Sequence, residues 1–261
     1  MLGDQETVHD PVTDVLQQHL PRSMFEAFDL LPDVQQPLLL LTRHSIRERA
    51  PNNGFASYQL PLTEVGRDLA FAWGKFLARE SGRNISACIS SPVPRCIDTA
   101  TIMLDGFGHP DDKSLTDVAQ HTLLVEPGSF VLDVNLAGPH FIQYGALKFI
   151  NAFLNNQLPG MKMPMQGVLD ILRLLFEHQA KASKQLSLAV SHDTILAAMF
   201  SLMAGHTLIE KQDWPHMMEG AFLWFEGESF EQSQVHWIWR GKHHVFYVAK
   251  VLSTPVFNAI V

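Results

Sequence analysis

The sequence has few cysteines: Cys88 and Cys96 are the only two in 261 residues. So few cysteines exclude a disulfide framework and are typical of reduced thiols in the cytoplasm. Long apolar runs are also missing, since none approaches the roughly 20 residues that a membrane helix needs. Residues 1–11 lack both the basic and the apolar region of a signal peptide. We therefore expect a cytoplasmic protein without a membrane partner.

Basic residues are outnumbered in this chain. It has 19 Lys and Arg against 27 Asp and Glu, a formal net charge of −8, which argues against nucleic acid as a partner. An acidic chain binds an anionic substrate only where its cations are concentrated, so clustered arginines are the candidate binding groups. Hydrophobic residues make up 46% of the chain, which is enough for a large core and argues against disorder.

The sequence lacks the common metal and nucleotide motifs. Thirteen histidines are present, but no His-Glu-x-x-His pattern occurs, and no glycine-rich loop ends in Gly-Lys-Ser/Thr. The adjacent His243 and His244 would point to opposite faces of a strand. The spacing from Cys88 to Arg95 is one residue longer than in cysteine-dependent phosphatases, and Cys88 lies in an apolar run, so a packed core thiol is expected. We therefore expect no metal and no other cofactor.

Predicted strands alternate with predicted helices over most of the chain. Short apolar runs predict strands at residues 38–42, 85–89, 123–125 and 186–190. Helices are predicted from 63 to 82, through 97–104, over 165–181 and from 193 to 205, and a β-hairpin at 221–225 and 234–239. Residues 1–36 are expected to be an N-terminal extension, and 127–165 an irregular cap with one short helix at 146–154. The alternation predicts a single α/β domain with a mostly parallel sheet covered on both faces.

Three of the predicted strands end in polar or basic groups. These groups are Arg43 and His44, then Ser90-Ser91-Pro92 with Arg95, and finally Ser191-His192-Asp193. In parallel sheets, ligand-binding groups lie just beyond the carboxyl ends of the strands. Guanidinium forks match the oxygens of a phosphate dianion, and a neutral imidazole is a competent nucleophile toward phosphorus. Each motif alone also fits a structural role, such as pairing with Glu48, but the conjunction predicts a phosphate pocket with a nucleophilic histidine.

Four motifs, in this order, resemble the histidine phosphatase superfamily, which includes acid phosphatases and phosphoglycerate mutases. Arg43-His44-x-x-Arg47 resembles the signature Arg-His-Gly-x-Arg, and Pro61-Leu62-Thr63-x-x-Gly66 resembles the Leu-Thr-x-x-Gly entry of a helix. Ser90-Ser91-Pro92-x-x-Arg95-x-x-x-Thr99-Ala100 resembles the second arginine motif, and Ser191-His192-Asp193-Thr194 the second histidine motif. The resemblance covers roughly residues 37–205. It implies a three-layer α/β/α sandwich of the phosphoglycerate mutase-like type.

The resemblance also implies a role for each matching residue. His44 would be the phosphorylated nucleophile, and Arg43, Arg47, Arg95 and His192 would bind the phosphate. The implied activity is hydrolysis of phosphomonoesters through a phosphohistidine. The proton donor would be Asp193, as in the acid-phosphatase-like branch, or Glu126, as in the mutase-like branch, and Asp193 ranks slightly first. Ser45 stands where the family has glycine, which adds a Cβ beside the pocket.

Two other functions stay open at this point: a phosphoglycerate-mutase-like phosphotransferase, and a non-catalytic module that binds a phosphorylated ligand. The expected partner is a small-molecule phosphomonoester. Met161, Met163 and Met165 lie in the predicted cap and predict a flexible lining for an apolar leaving group. The apolar hairpin at 221–239 could form the edge of a homodimer.

Overall fold

The protein is built around one seven-stranded sheet. The computed structural model describes residues 11–49, 58–108, 117–126 and 128–254. The strands are β1 (Leu38–Arg43), β2 (Asn84–Ser90), β3 (Ala119–Gln120), β4 (Gln185–Ser191), β5 (Gly220–Glu226), β6 (Gln234–Trp239) and β7 (Lys242–Tyr247). They are arranged in the order β3-β2-β4-β1-β5-β6-β7. Strands β1 to β4 are mutually parallel, while β5, β6 and β7 alternate in direction.

Helices cover both faces of this sheet. They are α1 (Pro11–His19), α2 (Arg22–Glu26), α3 (Glu64–Glu80), α4 (Pro94–Phe107), α5 (Val134–Leu154), α6 (Pro164–His178), α7 (Asp193–Met203) and α8 (Val248–Leu252). The side chains of β1 alternate between two cores, because Leu38 and Leu40 pack with α3 and α4, whereas Leu39 and Leu41 pack with α5 to α7. A strand buried on both faces requires two helical layers. The predicted three-layer α/β fold with a mostly parallel sheet is confirmed.

The described part of the predicted N-terminal extension packs into the core. Leu16, Leu20 and Met24 are buried in the same core as Leu38 and Leu40. The amphipathic pattern of this stretch therefore reflects packing against the body of the fold, next to α3. Residues 1–10 lie outside the described residues. They include most of the segment 1–11, whose sequence lacks the features of a signal peptide.

The strand predicted at residues 123–125 is wrong. Residues Thr122–Leu124 form a 3-10 helix, and β3 lies just before them and pairs with β2. A short apolar run does not separate a strand from a buried turn by its composition. Here Leu124 is buried in the core while the chain turns, since the Leu124 amide donates to the carbonyl oxygen of His121.

The segment 127–165 is more helical than its composition predicts. The helix predicted at 146–154 is confirmed as the part of α5 that follows a kink at Gly145, which has φ of 72°. The part of α5 before the kink, residues 134–144, was predicted to be irregular and is helical instead. The carboxylate of Asp133 accepts from the amide of Asn135 and caps the helix start. The composition does not predict the part before the kink because it contains Gly138 and Pro139 and ends at Gly145, and both residue types disfavour helix interiors. Pro127 lies outside the described residues.

Among the described residues, no helix combines the length and the apolar character that crossing a bilayer requires.

Candidate active site

The candidate site forms where three neighbouring strands end. Strands β2, β4 and β1 lie side by side and run in the same direction, so their carboxyl ends meet at one edge of the sheet. His44 directly follows β1, Arg95 lies in the first turn of α4, and His192 stands between β4 and α7. All three side chains are buried. The fold thus brings together residues that are far apart in the sequence.

His44 is held in one tautomer. Its Nδ1 lies 2.8 Å from the carbonyl oxygen of Ser45, which accepts the Nδ1 proton. Nε2 therefore carries the lone pair, and it accepts a hydrogen bond from Nε of Arg95 at 3.0 Å. Burial, followed by the charges of Arg43 and Arg95, lowers the pKa of His44 well below its ordinary value of 6.5. The imidazole is neutral, and its Nε2 is available as a nucleophile.

His192 contacts the same arginine. Its Nδ1 accepts from Nη2 of Arg95 at 3.3 Å, and its Nε2 lies 2.9 Å from Oγ of Ser91. Since arginine only donates, Nε2 carries the proton and donates it to Ser91. Burial and then Arg95 lower the pKa of His192 to about 3. The His44 and His192 ring centroids are 5.6 Å apart. Two neutral imidazoles therefore fix the position of one guanidinium group.

Arg43 and Asp193 form a buried ion pair, with Nη2 and Oδ2 2.5 Å apart. Arg43 also donates to the carbonyl oxygen of Pro215 at 2.6 Å, and Asp193 accepts from the indole nitrogen of Trp214 at 3.1 Å. Burial raises the pKa of Asp193, but Arg43 and the Trp214 hydrogen bond outweigh it, so this pKa lies below its ordinary value. Asp193 is a carboxylate that orients Arg43.

Glu126 lies in the opposite electrostatic setting. Its Oε2 is 3.8 Å from Nδ1 of His192, which is neutral. Burial, and then the charge of Asp193, raise the pKa of Glu126 to about 7, although Arg95 and Arg43 act against this rise. The Glu126 carboxyl group therefore holds its proton at slightly acidic pH and can give it up near neutrality.

Ser45 occupies the position next to His44 without backbone strain. Its φ is not in the left-handed region, so the freedom of glycine is not needed here. Its hydroxyl donates to the carbonyl oxygen of Gly66 at 2.7 Å, and its amide donates to Oγ1 of Thr99 at 3.0 Å. The extra side chain connects the segment that carries His44 to α3.

A cavity of about 830 Å³ opens over this cluster. Its polar lining residues include Arg43, His44, Arg47, Arg95, Glu126 and Asp193, so six of the seven predicted site residues face it, and His192 touches Arg95 from the protein interior. Arg47 is partly buried and donates to the carbonyl oxygen of Glu48 at 2.8 Å. Burial and then Arg95 lower the pKa of Arg47.

Two lining residues escaped the sequence analysis, Tyr58 and Trp214. The hydroxyl of Tyr58 donates to the backbone carbonyl oxygen of Glu126 at 2.6 Å, and Trp214 holds Asp193. Both lie outside the helices and strands, where no periodic pattern marks a side chain as functional. Their roles become visible only through the tertiary contacts.

The methionines predicted to line the cap do not line this cavity, and that interpretation is wrong. Met161 is buried in the core, and the wall opposite the arginines comes from α5 and the residues just before it. Within the described ranges, no group of three or more His, Cys, Asp or Glu side chains is arranged to hold a metal ion. Burial raises the pKa of Cys88 and of Cys96 to about 12, so both thiols stay protonated.

The fold and this site define a class of protein: an α/β chain with a histidine-centred, arginine-lined cavity at the carboxyl edge of a mostly parallel sheet. Residues 39–118 match the model of the histidine phosphatase superfamily, branch 1, and the predicted resemblance to that superfamily is confirmed. The matched segment contains His44, Arg47 and Arg95, whereas Glu126, His192 and Asp193 follow it. A search of the curated proteins returned no match.

Several solved structures share the fold. A mycobacterial glucosyl-3-phosphoglycerate phosphatase is 17% identical, with a TM-score of 0.54 over 80% of this chain and 100% of that chain. A structure described as mycobacterial hydrolase 1 is 18% identical, with a TM-score of 0.53 over 78% of this chain and 98% of that chain. A phosphoglycerate mutase from Bacillus anthracis is 14% identical, with a TM-score of 0.50 over 83% of this chain and 95% of that chain. At such identities these structures establish the fold, which is phosphoglycerate mutase-like.

Proposed function

We propose that this protein hydrolyses phosphomonoesters through a phosphohistidine formed on Nε2 of His44. The observation that carries the proposal is the neutral, oriented imidazole whose lone pair faces Arg95 inside an arginine-lined cavity. A phosphate oxygen would take over the hydrogen bond that Arg95 Nε now donates to His44, which leaves Nε2 free to attack phosphorus. Positioning and charge stabilisation then supply most of the rate, as is general for phosphoryl transfer.

The reaction has two steps, and we assign the proton transfers to Glu126. In the first step, Nε2 of His44 bonds to phosphorus, the bond from phosphorus to the ester oxygen breaks, and Glu126 gives its proton to that oxygen. In the second step, water attacks phosphorus, Glu126 accepts the water proton, the bond from phosphorus to Nε2 of His44 breaks with its electron pair returning to Nε2, and phosphate leaves. The raised pKa of Glu126 suits a group that donates and then accepts. We therefore place Glu126 above Asp193, which the ion pair with Arg43 keeps ionised.

The charge of the site supports a phosphate dianion as the group that is bound. Arg43, Arg47 and Arg95 contribute three positive charges, and Asp193 contributes one negative charge while Glu126 is protonated. A phosphoglycerate-mutase-like phosphotransferase would also have to bind the carboxylate of its substrate. The described lining offers no cation beyond these three arginines, which argues against that alternative.

The proposal is tested by phosphate release from p-nitrophenyl phosphate in wild type and His44→Ala. We expect His44→Ala to lose about a thousandfold or more in kcat/KM, because the covalent route is removed. Rapid quenching of wild type in alkaline detergent should trap a phosphoryl group that is alkali-stable and is lost on later treatment with acid. His206→Ala, which removes an exposed histidine away from the cavity, serves as the control. Activity that survives in His44→Ala, or a protein that binds phosphate without turnover, would overturn the proposal.

A further inference from the structure

The cavity over His44 has two chemically different halves. One half is the cluster of arginines and carboxyl groups described above. The other half, the apolar wall, consists of the lining residues between positions 131 and 149, among them Val131, Val134, Phe141, Ile142 and Leu147. No lining residue from this segment has a charged or polar side chain; all are apolar or glycine. The halves belong to one continuous cavity, so a molecule held at the arginines extends along the apolar wall.

The apolar wall leaves free space beside it and is exposed to solvent. Gly138 lies within α5 and lines the cavity, and a Cβ added there would meet no atom within 4 Å. The same holds for Gly145 at the kink, where the chain changes direction. Ile142 is 71% exposed and Val134 is 64% exposed, although both line the cavity. Large apolar side chains left in contact with water beside a polar site mark a surface that a ligand covers.

The polar groups of the cavity are already committed to the phosphoryl group and its transfer. Arg95 holds the two histidines, Arg43 is paired with Asp193, and Glu126 is the proton donor of the proposed reaction. Arg47 supplies the third positive charge for the phosphate dianion in that reaction. Tyr58 donates to the carbonyl oxygen of Glu126, and Trp214 donates to Asp193. The described lining leaves no further cation for a carboxylate on the leaving group, and the apolar wall offers no hydrogen-bonding side chain for sugar hydroxyls. The wall therefore fits hydrocarbon.

We infer that the substrate class is a phosphate monoester of a large, uncharged and mainly hydrocarbon alcohol or phenol, whose hydrocarbon part lies against the apolar wall. This inference rests on the proposed phosphatase function and specifies its leaving group. The volume of about 830 Å³ is in the range of about 300–1,000 Å³ that takes drug-sized organic ligands, and it is much larger than a phosphoryl group needs.

The test is a series of n-alkyl phosphates from ethyl to octyl, because the leaving alcohols have nearly equal acidity and differ in buried length. We expect kcat/KM to rise about fourfold per added methylene, the factor that corresponds to about 0.8 kcal/mol per buried CH₂. Phosphoserine and 3-phosphoglycerate should be poorer substrates than butyl phosphate. A flat series, or a preference for the charged esters, would overturn the inference while leaving the phosphatase function intact.

Two matched variants locate the effect on α5. Ile142 and Leu136 are both exposed apolar residues of this helix, but only Ile142 lines the cavity. We expect Ile142→Ser to lower kcat/KM for octyl phosphate about tenfold, and Leu136→Ser to leave it unchanged. Gly138→Phe, which fills the space beside the wall, should make kcat/KM independent of the alkyl chain length. Equal losses in Ile142→Ser and Leu136→Ser would overturn the assignment of the wall.

Binding of alkylphosphonates, which cannot be hydrolysed, separates the two proposals. We expect the affinity of wild type for these compounds, measured by calorimetry, to increase with chain length by the same factor as kcat/KM. If no ester is hydrolysed but phosphonate affinity still increases with length, the proposed phosphatase function is wrong, whereas the binding of hydrocarbon by the apolar wall is supported. If esters are hydrolysed and phosphonate affinity is independent of length, the apolar wall does not bind hydrocarbon, whereas the phosphatase function is supported.

Discussion

At the scale of single residues, two carboxyl groups share one cavity but lie in opposite surroundings. Asp193 is paired with Arg43 and accepts a hydrogen bond from Trp214, and its pKa is lowered. Glu126 is near the neutral His192, and its pKa is raised to about 7, first by burial. Carboxyl groups whose pKa values are driven apart in this way take different roles, one as a fixed charge and one as a proton donor.

This difference predicts distinct defects in Glu126→Gln and Asp193→Asn. For an alkyl phosphate, whose leaving group needs a proton, Glu126→Gln should lower kcat about a hundredfold or more. For p-nitrophenyl phosphate, whose leaving group is stable as an anion, the loss should be less than about tenfold. Asp193→Asn should affect both substrates alike, because it releases Arg43 from its position. A selective loss with alkyl phosphates in Asp193→Asn, but not in Glu126→Gln, would reverse the assignment.

The pH dependence of the reaction should report the same residue. Since the donor must carry its proton, wild-type kcat/KM for alkyl phosphates should fall as pH rises above about 7. On the acid side, the lowered pKa of His44 keeps the nucleophile neutral, so protonation of His44 should not limit the rate until the pH is well below 6.5. The alkaline decrease should disappear in Glu126→Gln and persist in Asp193→Asn, as measured by initial rates across the pH range.

At the scale of elements, the start of α3 supports the segment that carries His44. Oγ1 of Thr63 accepts from the amide of Gly66 at 3.0 Å and caps the helix, and the carbonyl oxygen of Gly66 accepts from the Ser45 hydroxyl. A Cβ on Gly66 would lie 2.0 Å from the carbonyl oxygen of Ile46. Glycine at this position therefore allows the helix to approach the backbone just after His44.

Gly66→Ala should destabilise the protein by about 3 kcal/mol, because a backbone atom must move to make room. Thr63→Ala should cost about 1 kcal/mol through loss of the cap. The matched control is Gly138→Ala, since Gly138 is also a helical glycine but has open space around its Cβ position. Gly138→Ala should be neutral or stabilising by up to about 1 kcal/mol. Urea unfolding of the three variants measures these changes, and equal effects at positions 66 and 138 would contradict the steric argument.

Sequence patterns predict the elements that are buried on both faces and miss those that depend on tertiary contacts. The apolar runs of β1, β2 and β4 are typical of strands that are buried on both faces, and the polar residues after them indicate the site. Strand β7 was missed because its start, Lys242-His243-His244, is polar, and such a strand forms only by pairing with β6. The choice between Glu126 and Asp193 was out of reach for a similar reason: it depends on the partners Arg43, Trp214 and His192, which the sequence does not place.

At the scale of the whole molecule, the site makes stability depend on pH in two opposite ways. The pKa of His192 is lowered to about 3 and that of His44 is also lowered, so their contribution to stability is present above about 6.5 and is lost as pH falls. The pKa of Glu126 is raised from 4.5 to about 7, so its contribution is fully present below 4.5 and is lost as pH rises through about 7. Ionised Glu126 therefore lowers the free energy of unfolding once the pH exceeds about 7.

Comparison of wild type with Glu126→Gln isolates the destabilisation caused by ionised Glu126. The contributions of His44 and His192 are present in both proteins and cancel when their free energies of unfolding are subtracted. The free energy of unfolding of Glu126→Gln, relative to wild type, should increase by about 2 to 3 kcal/mol between pH 4.5 and pH 8, since one unit of pKa shift corresponds to about 1.4 kcal/mol. Urea unfolding at both pH values measures it. Glu228→Gln, which replaces an exposed carboxyl group, is the control. If Glu126→Gln behaves like Glu228→Gln, the carboxyl group at position 126 is ionised at little cost in the folded protein, and the assignment of Glu126 as proton donor loses its physical basis.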